Sequence, residues 1–407
     1  MTTELAFVVF LLLLLALYAG AQDLPRFEQQ EFLLSFWVDP PGDQLTDECY
    51  SEIAEANFTV VMGWMGATTP EAVEKQLALC ERHGLGLLVR CPSVPFDQLP
   101  DGPACWGYVL RDEPNAADFP GLAEQVAELR LARPGKLGYI NLFPDYASEA
   151  QLGTPTYEEH VARFVDEVKP DVLSMDYYPY FGPNDDWRDG YCGNVAVMRE
   201  HSLRAGIPFW NFFNVMPFAF HTDPTTDQLR WQMYASITYG AKGLMYFCYW
   251  TPGGPKGGAI IAQDGRKTRH WWQAKLLNAE IKALGPTLMQ LTSNKVTRVK
   301  PGEEADLSGT GLVRLWRAEP GADPELDLLV GAFDHADGHR AVMLMNYRYA
   351  FTAWPSVEFD VPADQVLEVD KRTGEAQPGI DDSPDLEWLQ LSLDAGEGRL
   401  FLLPASK

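Results

Sequence analysis

The 407-residue chain carries 57 Asp and Glu against 32 Lys and Arg, a formal charge of -25, so it lacks the positive surface that displaces phosphate counterions and is not expected to bind nucleic acid. Its length and 46% hydrophobic content suit a full core, either two domains or one large barrel with an appendage. Six cysteines are no disulfide framework in a chain this long, and no CxxC or Cys/His spacing points to zinc, so no metal or other cofactor is expected.

The chain opens on an apolar run, Ala6–Leu17, followed by Ala19-Gly20-Ala21, the small-residue pattern of a signal-peptidase site. Residues 1–21 read as a secretory signal, with the mature chain starting near Gln22, secreted or periplasmic and free of the membrane after cleavage. Glu4 and the lack of Lys or Arg ahead of the run depart from the usual signal, yet the run is short for a span.

From residue 32 a short apolar, aromatic-rich run, a polar loop and an amphipathic helix alternate. The runs are Phe32–Asp39, Phe58–Trp64, Leu85–Cys91, Trp106–Glu113, Leu137–Asp145, Asp171–Tyr180, Pro208–Met216 and Gly243–Trp250. Helical spacing lies between them at Asp47–Ala56, Pro70–His83, Ala117–Ala132, Tyr157–Val168, Asn194–Ala205, Thr226–Tyr239 and Arg269–Leu291, with Gly84, Gly206 and Gly240 placed as C-caps. Only Pro92–Pro103 lacks a clear helix. Strands apolar throughout and alternating with helices are parallel and buried on both faces, and eight such units close into an α/β architecture, a (β/α)8 TIM barrel over residues 22–292. An open doubly wound sheet would usually carry a glycine-rich phosphate turn after its first strand, where this chain has Asp39-Pro40-Pro41. Cys49 and Cys80 fall on successive predicted helices and are the pair most open to a disulfide, whereas Cys248 reads as a buried thiol.

Past residue 292 the period changes. Leu312–Glu319, Leu328–Asp334, Ala341–Tyr347, Ser356–Val361, Val366–Asp370, Leu386–Leu393 and Arg399–Leu403 are short alternating runs split by Gly, Asp and Pro turns, and predict an antiparallel β-sandwich over residues 293–407. No Gly/Ser/Pro linker precedes it, so the sandwich should dock on the barrel.

In a barrel the carboxyl ends of the strands share one face, and that face carries the chemistry. The fourth run, WGYVLRDEPN, ends in two adjacent carboxylates, Asp112 and Glu113; Pro114 cannot donate to a ladder and biases Glu113 towards an extended backbone, stopping the strand at the mouth. Capping of the next helix is the alternative role for this pair. The other ends bring Asp39, Trp64, Arg90, Asn141, Asp145, Asp176, Tyr178, Asn211, Asn214, Tyr246 and Trp250 to the same face. Carboxylates and amides for hydroxyls, with flat rings for apolar sugar faces, suit a neutral polyhydroxylated ligand. Neither a GxSxG elbow nor HExxH is present, and His221 alone among the histidines falls near a strand end.

With Asp112-Glu113-Pro114 closing the fourth strand, Trp250 ending the eighth and a β-sandwich behind the barrel, the chain resembles the clan A glycoside hydrolases, among them the family 42 β-galactosidases. The resemblance implies that Glu113 is the acid/base and that Asp112 replaces the Asn that binds the sugar 2-hydroxyl. It departs at the seventh strand, where the clan places its nucleophilic Glu and this chain has Trp210-Asn211-Phe212-Phe213-Asn214. A retaining mechanism needs a second carboxylate roughly 5–5.5 Å from the acid and an inverting one roughly 6.5–9.5 Å. Asp176 is the first choice for nucleophile or base, with Asp145 and Asp39 behind it; orienting a sugar hydroxyl is its other role. The expected function is hydrolysis of an exported-compartment polysaccharide or oligosaccharide, and the alternative is a non-catalytic carbohydrate-binding barrel.

Overall fold

A computed structural model describes residues 24–182, 185–254, 257–317 and 325–405; the signal-like segment 1–21 lies outside them. Eight parallel strands, β1 (Leu33–Phe36), β2 (Val60–Met62), β3 (Gly86–Val89), β4 (Cys105–Asp112), β5 (Leu137–Asn141), β6 (Leu173–Asp176), β7 (Phe209–Asn214) and β8 (Gly243–Phe247), form two four-stranded arcs in the orders β2-β3-β4-β5 and β1-β8-β7-β6. A parallel bridge from Leu142 to Met175 joins β5 to β6. The Thr59 N–H donates to the Leu34 carbonyl at 2.9 Å and the Leu34 N–H to Thr59 Oγ1 at 2.9 Å, joining β1 to β2 and closing the barrel.

Among the described residues seven helices of nine residues or more surround it, besides a single turn at Glu149–Leu152: α1 (Asp47–Glu55), α2 (Pro70–Arg82), α3 (Phe119–Ala132), α4 (Tyr157–Val168), α5 (Arg188–Ala205), α6 (Thr226–Thr238) and α7 (Arg269–Met289). The connection after β3 carries only a 3-10 turn at Phe96–Gln98. Threonine hydroxyls accept from backbone N–H groups at the starts of α1, α2, α4, α6 and α7, filling donors that no helix can satisfy internally. Helix α5 begins six residues before its expected start at Asn194, and Gly190 in its first turn lets the Tyr177 hydroxyl come so close that an added Cβ would sit 2.3 Å from it. Two apolar layers result. Leu33, Met62, Leu88, Tyr139, Trp210 and Met245 fill the barrel, while Leu34, Val61, Leu87, Ile140, Phe213 and Leu244 face the helices.

The N-terminal segment covers the lower end of the barrel. Phe27 packs on Trp106 at 5.9 Å, and Trp210 Nε1 donates to Gln29 Oε1 at 2.9 Å. A cleft of about 580 Å³ opens at that end, but its cations are committed to structure: Arg26 to Asp171, Arg199 to Ser293, and Lys242 to the carbonyls of Leu288 and Leu291.

Strand β9 (Leu291–Val299) follows α7 directly. Its LTSNKVTRV sequence lacks a clean alternation, which is why the sequence reading has no strand there. With β10 (Leu312–Arg317), β11 (Leu328–His335), β12 (Arg340–Asn346), β13 (Pro355–Phe359), β14 (Leu367–Val369), β15 (Ala376–Pro378), β16 (Leu389–Gln390) and β17 (Gly398–Leu403) it builds two antiparallel sheets, β9-β11-β12-β17-β14-β15 and β10-β13-β16. Val330, Leu344, Val357, Leu391 and Phe401 fill the space between them. The other face of the large sheet, through Leu329, Phe333, Met343 and Met345, belongs to the same core as the barrel helices. Contact is close enough that a Cβ on Gly331 would lie 2.4 Å from the Thr238 carbonyl of α6. Gly331→Val is therefore expected to cost about 1–3 kcal/mol by overpacking; urea unfolding curves that superimpose on the wild type would show that the sheet does not seat on α6.

Cys49, Cys80, Cys91, Cys105 and Cys192 are buried free thiols, and Cys248 is buried as well. The expected Cys49–Cys80 bond is absent; both sulfurs sit in the helix–barrel layer, where burial pushes the Cys49 thiol up to about 12 and the Cys80 thiol up as well. Among the described residues no helix is long and apolar enough to cross a membrane.

Candidate active site

Parallel pairing sets the strand ends level. Asp112 pairs with Asn141 across β4 and β5, and Asp176 pairs with Phe212 across β6 and β7. Their side chains line one cavity of about 250 Å³ together with Glu113. Trp37, Tyr178, Phe212 and Phe247 complete its wall. Two adjacent strand residues normally point to opposite faces. Asp112 and Glu113 reach the same cavity because Glu113 has φ 46, in the left-handed region that a residue with a Cβ enters only at a cost. The extended backbone expected from Pro114 is thus not what forms; the Glu113 N–H instead donates to the Asn141 carbonyl at 2.9 Å, and the reversal turns its carboxyl inward.

Asn141 is the hub of the floor. Its Nδ2 donates to Asp176 Oδ1 at 3.0 Å and to Asp112 Oδ1 at 3.3 Å, while its Oδ1 accepts from Ser174 Oγ at 2.9 Å. Tyr139 and Ser174 share a further hydroxyl contact at 2.8 Å, so the amide is fixed from below. The carboxyls are short of positive charge. Burial raises Asp176 well above the ordinary carboxylate range, and neighbouring Glu113 and Asp112 push it further, with Asn141 and Tyr178 opposing. Burial and then Asp112 bring Glu113 up to about 7. Burial also raises Asp112, against the Asn141 hydrogen bond and the charge of Arg111. Glu113 is therefore protonated over much of the acid-to-neutral range, as a general acid must be.

Because the fold raises the pKa of Asp176, its stabilising contribution is complete below about pH 4 and is lost as pH rises towards the folded-state value. Asp176→Asn removes that titration. The variant is expected to gain about 0.5–2 kcal/mol over the wild type near neutrality, as relief of functional-site strain commonly does, and to lose the gain in acid. Thermal melts at pH 4 and 7 measure this; an equal difference at both would show that Asp176 ionises freely.

The remaining expected site residues fall elsewhere. Trp64 packs against Trp37 with ring centres 4.1 Å apart, and the Arg90 guanidinium lies 4.4 Å over Trp64, so these two back the wall from outside it. Asp39 is wholly buried beneath them: its Oδ1 accepts from the backbone N–H groups of Trp64, Met65 and Gly66, and its Oδ2 from Gln76. It builds the β2–α2 loop and has no path to a substrate. Asn211 points away from the barrel axis, its amide donating to the hydroxyls of Tyr191 and Ser236 on α5 and α6. Tyr246 also faces outward and donates to Asn278 of α7 at 2.8 Å. Asn214 is tied to Thr222 and, through its backbone, to Gln232 of α6. Trp250 lies past the end of β8, bridged to Ile261, and Phe247 occupies the wall in its place. Asp145 lies on the loop after β5, outside the cavity lining, where partial burial still lifts its carboxyl to about 6. His221 packs between Phe181 and Phe218, ring centres 4.1 Å and 4.3 Å away, next to Tyr178, and burial pushes it down to about 4, leaving it neutral.

Three wall residues, Trp37, Phe212 and Phe247, escape a reading of the sequence that looks for polar groups at strand ends. Their only signal is phase along the strand.

No family model matches the chain, and no curated protein matches it either. Solved structures do match the fold. A catalytic mutant of a family 42 β-galactosidase from G. stearothermophilus aligns with a TM-score of 0.58 at 10% identity, over 93% of this chain and 100% of that one. A candidate α-galactosidase from Bacteroides fragilis aligns with a TM-score of 0.51 at 11% identity, over 94% and 80% of the two chains. At such identities the likeness is one of architecture: a TIM barrel followed by antiparallel sheets, as in glycoside hydrolases.

Proposed function

We propose that this chain is a glycoside hydrolase on the plan of clan A, with Glu113 as the acid that protonates the leaving oxygen and the base that then activates water. The observation that carries this reading is Glu113 itself: a carboxyl turned by a left-handed backbone into a closed-bottomed cavity and lifted to about 7 by burial and by Asp112. A sugar ring seated beside Glu113 would meet Asp112 and Asp176 in the same cavity, with the rings of Trp37 and Tyr178 in its wall as surfaces to stack on. The substrate would be a neutral carbohydrate met outside the cytosol, after cleavage near Ala21. A purely carbohydrate-binding barrel is the second reading, favoured by Phe212 at the level where the clan keeps its nucleophile. Assay of the full chain on a panel of aryl glycosides, with Glu113→Gln as control, separates the two: glycoside binding without turnover selects the second.

A further inference from the structure

The cavity holds an acid but offers no sound nucleophile. On β7, Phe212 faces the cavity while Asn211 faces the helices and Asn214 is tied to the loop and to α6. Asp145 stands on the loop after β5 and does not line the cavity, and Asp39 is sealed under the β2–α2 loop with four N–H donors around it. That leaves Asp176 and Asp112, both held through the one amide of Asn141 and both beside Glu113 without an opposing cation in the cavity wall. Three crowded carboxyls cannot all carry charge, and a carboxyl that keeps its proton does not attack carbon.

A substrate that brings its own nucleophile removes the difficulty. Resting on the glycosidase reading above, we infer that the substrate is a 2-acetamido-2-deoxy glycoside, whose acetamido carbonyl oxygen attacks C1 while Asp112 accepts the amide N–H and Glu113 protonates the leaving oxygen. In the first step a C1–O bond forms from the carbonyl oxygen and the glycosidic C1–O bond breaks. Its electron pair goes to the leaving oxygen, which takes the Glu113 proton. The sugar is left as a five-membered oxazolinium ring, its N–H held by the Asp112 carboxylate. Water then attacks C1, gives a proton to the Glu113 carboxylate, and the C1–O bond of the small ring returns its pair to the amide. Two displacements at C1 retain its configuration.

The wall suits each part of that group. Asp112 is next to the acid on the same face, so the N–H acceptor and the proton donor bracket C1 from one short stretch of chain. Asn141 positions Asp112 by its Nδ2, and it is a positioning residue. The acetyl methyl needs an apolar recess, and Trp37, Phe212 and Phe247 supply apolar surface in the cavity wall.

The test uses the full chain with matched nitrophenyl glycosides of glucose, galactose and their 2-acetamido-2-deoxy counterparts, and the methylthiazoline analogue of the cyclised sugar as inhibitor. Turnover is expected in the acetamido series with a preference of at least about 10³-fold, a small part of what an intramolecular nucleophile can supply. Replacing acetyl by fluoroacetyl and trifluoroacetyl should slow the reaction stepwise, the thiazoline should compete, and Asp112→Asn should lower kcat far more than it raises KM. Comparable turnover of the 2-hydroxy glycosides, with azide restoring Asp176→Asn as a glycosyl azide, would make Asp176 the nucleophile and overturn the inference while leaving the glycosidase intact. No turnover in either series, with no competition between the thiazoline and any glycoside, removes the glycosidase reading and the inference together.

Discussion

Glu113→Gln is expected to lower turnover by roughly 10²–10⁴-fold on substrates with poor leaving groups, the usual contribution of a positioned acid. Glutamine keeps the size and the neutral charge of the protonated side chain, so folding and sugar affinity should stay near wild type. An activated aryl glycoside, whose leaving group departs without a proton, should lose much less in the first step. The pH profile gives an independent check. Only the protonated form can act as the acid, and burial with Asp112 places its titration at about 7, so wild-type turnover should fall as pH rises through that value. Glu113→Gln should lack this alkaline limb. Wild-type rates in the variant on alkyl glycosides would remove Glu113 from the chemistry.

Much of this molecule could be read from its residues, and the losses have a common cause. The barrel was legible because eight apolar runs alternate with helices whose glycine stops mark their ends, as at Gly206 after α5. Strand phase was not. A strand buried on both faces is apolar throughout and shows no alternation, so sequence cannot say which residue of Asn211 and Phe212 looks inward. In the fold Phe212 does, and a shift of one residue turns an expected sugar ligand into a helix anchor. The same holds for Tyr246 and Phe247. Where β4 leaves the sheet the error has another source: only the backbone reversal at Glu113 brings two consecutive carboxylates to one face, and a glutamate before proline gives no hint of a left-handed conformation. Asn141 was found for its position, but its role as the amide joining Asp112 and Asp176 depends on register between three strands.

Asp39→Ala is expected to be the most damaging single change among the strand-end residues, although Asp39 lies outside the cavity. Its carboxylate collects the N–H groups of Trp64, Met65 and Gly66 and the amide of Gln76, at distances of 2.6 to 3.1 Å, in a site fully closed to solvent. Burial raises its pKa and those four hydrogen bonds pull it back. Each buried donor left without a partner costs about 1–3 kcal/mol, and relaxation of the loop recovers part of the sum, so a net loss of about 3–5 kcal/mol is expected. Asp39→Asn should cost less. Its remaining oxygen can still serve the three backbone groups, but its new amino group would face the Gln76 amide, donor against donor. The damage should also reach the site, because the loop that Asp39 ties carries Trp64, which backs Trp37 in the cavity wall. In the milder Asn variant KM should rise with kcat little changed, the pattern of a shifted binding wall and not of lost chemistry. Urea unfolding followed by tryptophan fluorescence, beside steady-state kinetics on the Asn variant, measures both. If Asp39→Ala unfolds within about 1 kcal/mol of wild type, well below the penalty for stranding even part of that donor set, the carboxylate does not hold the loop.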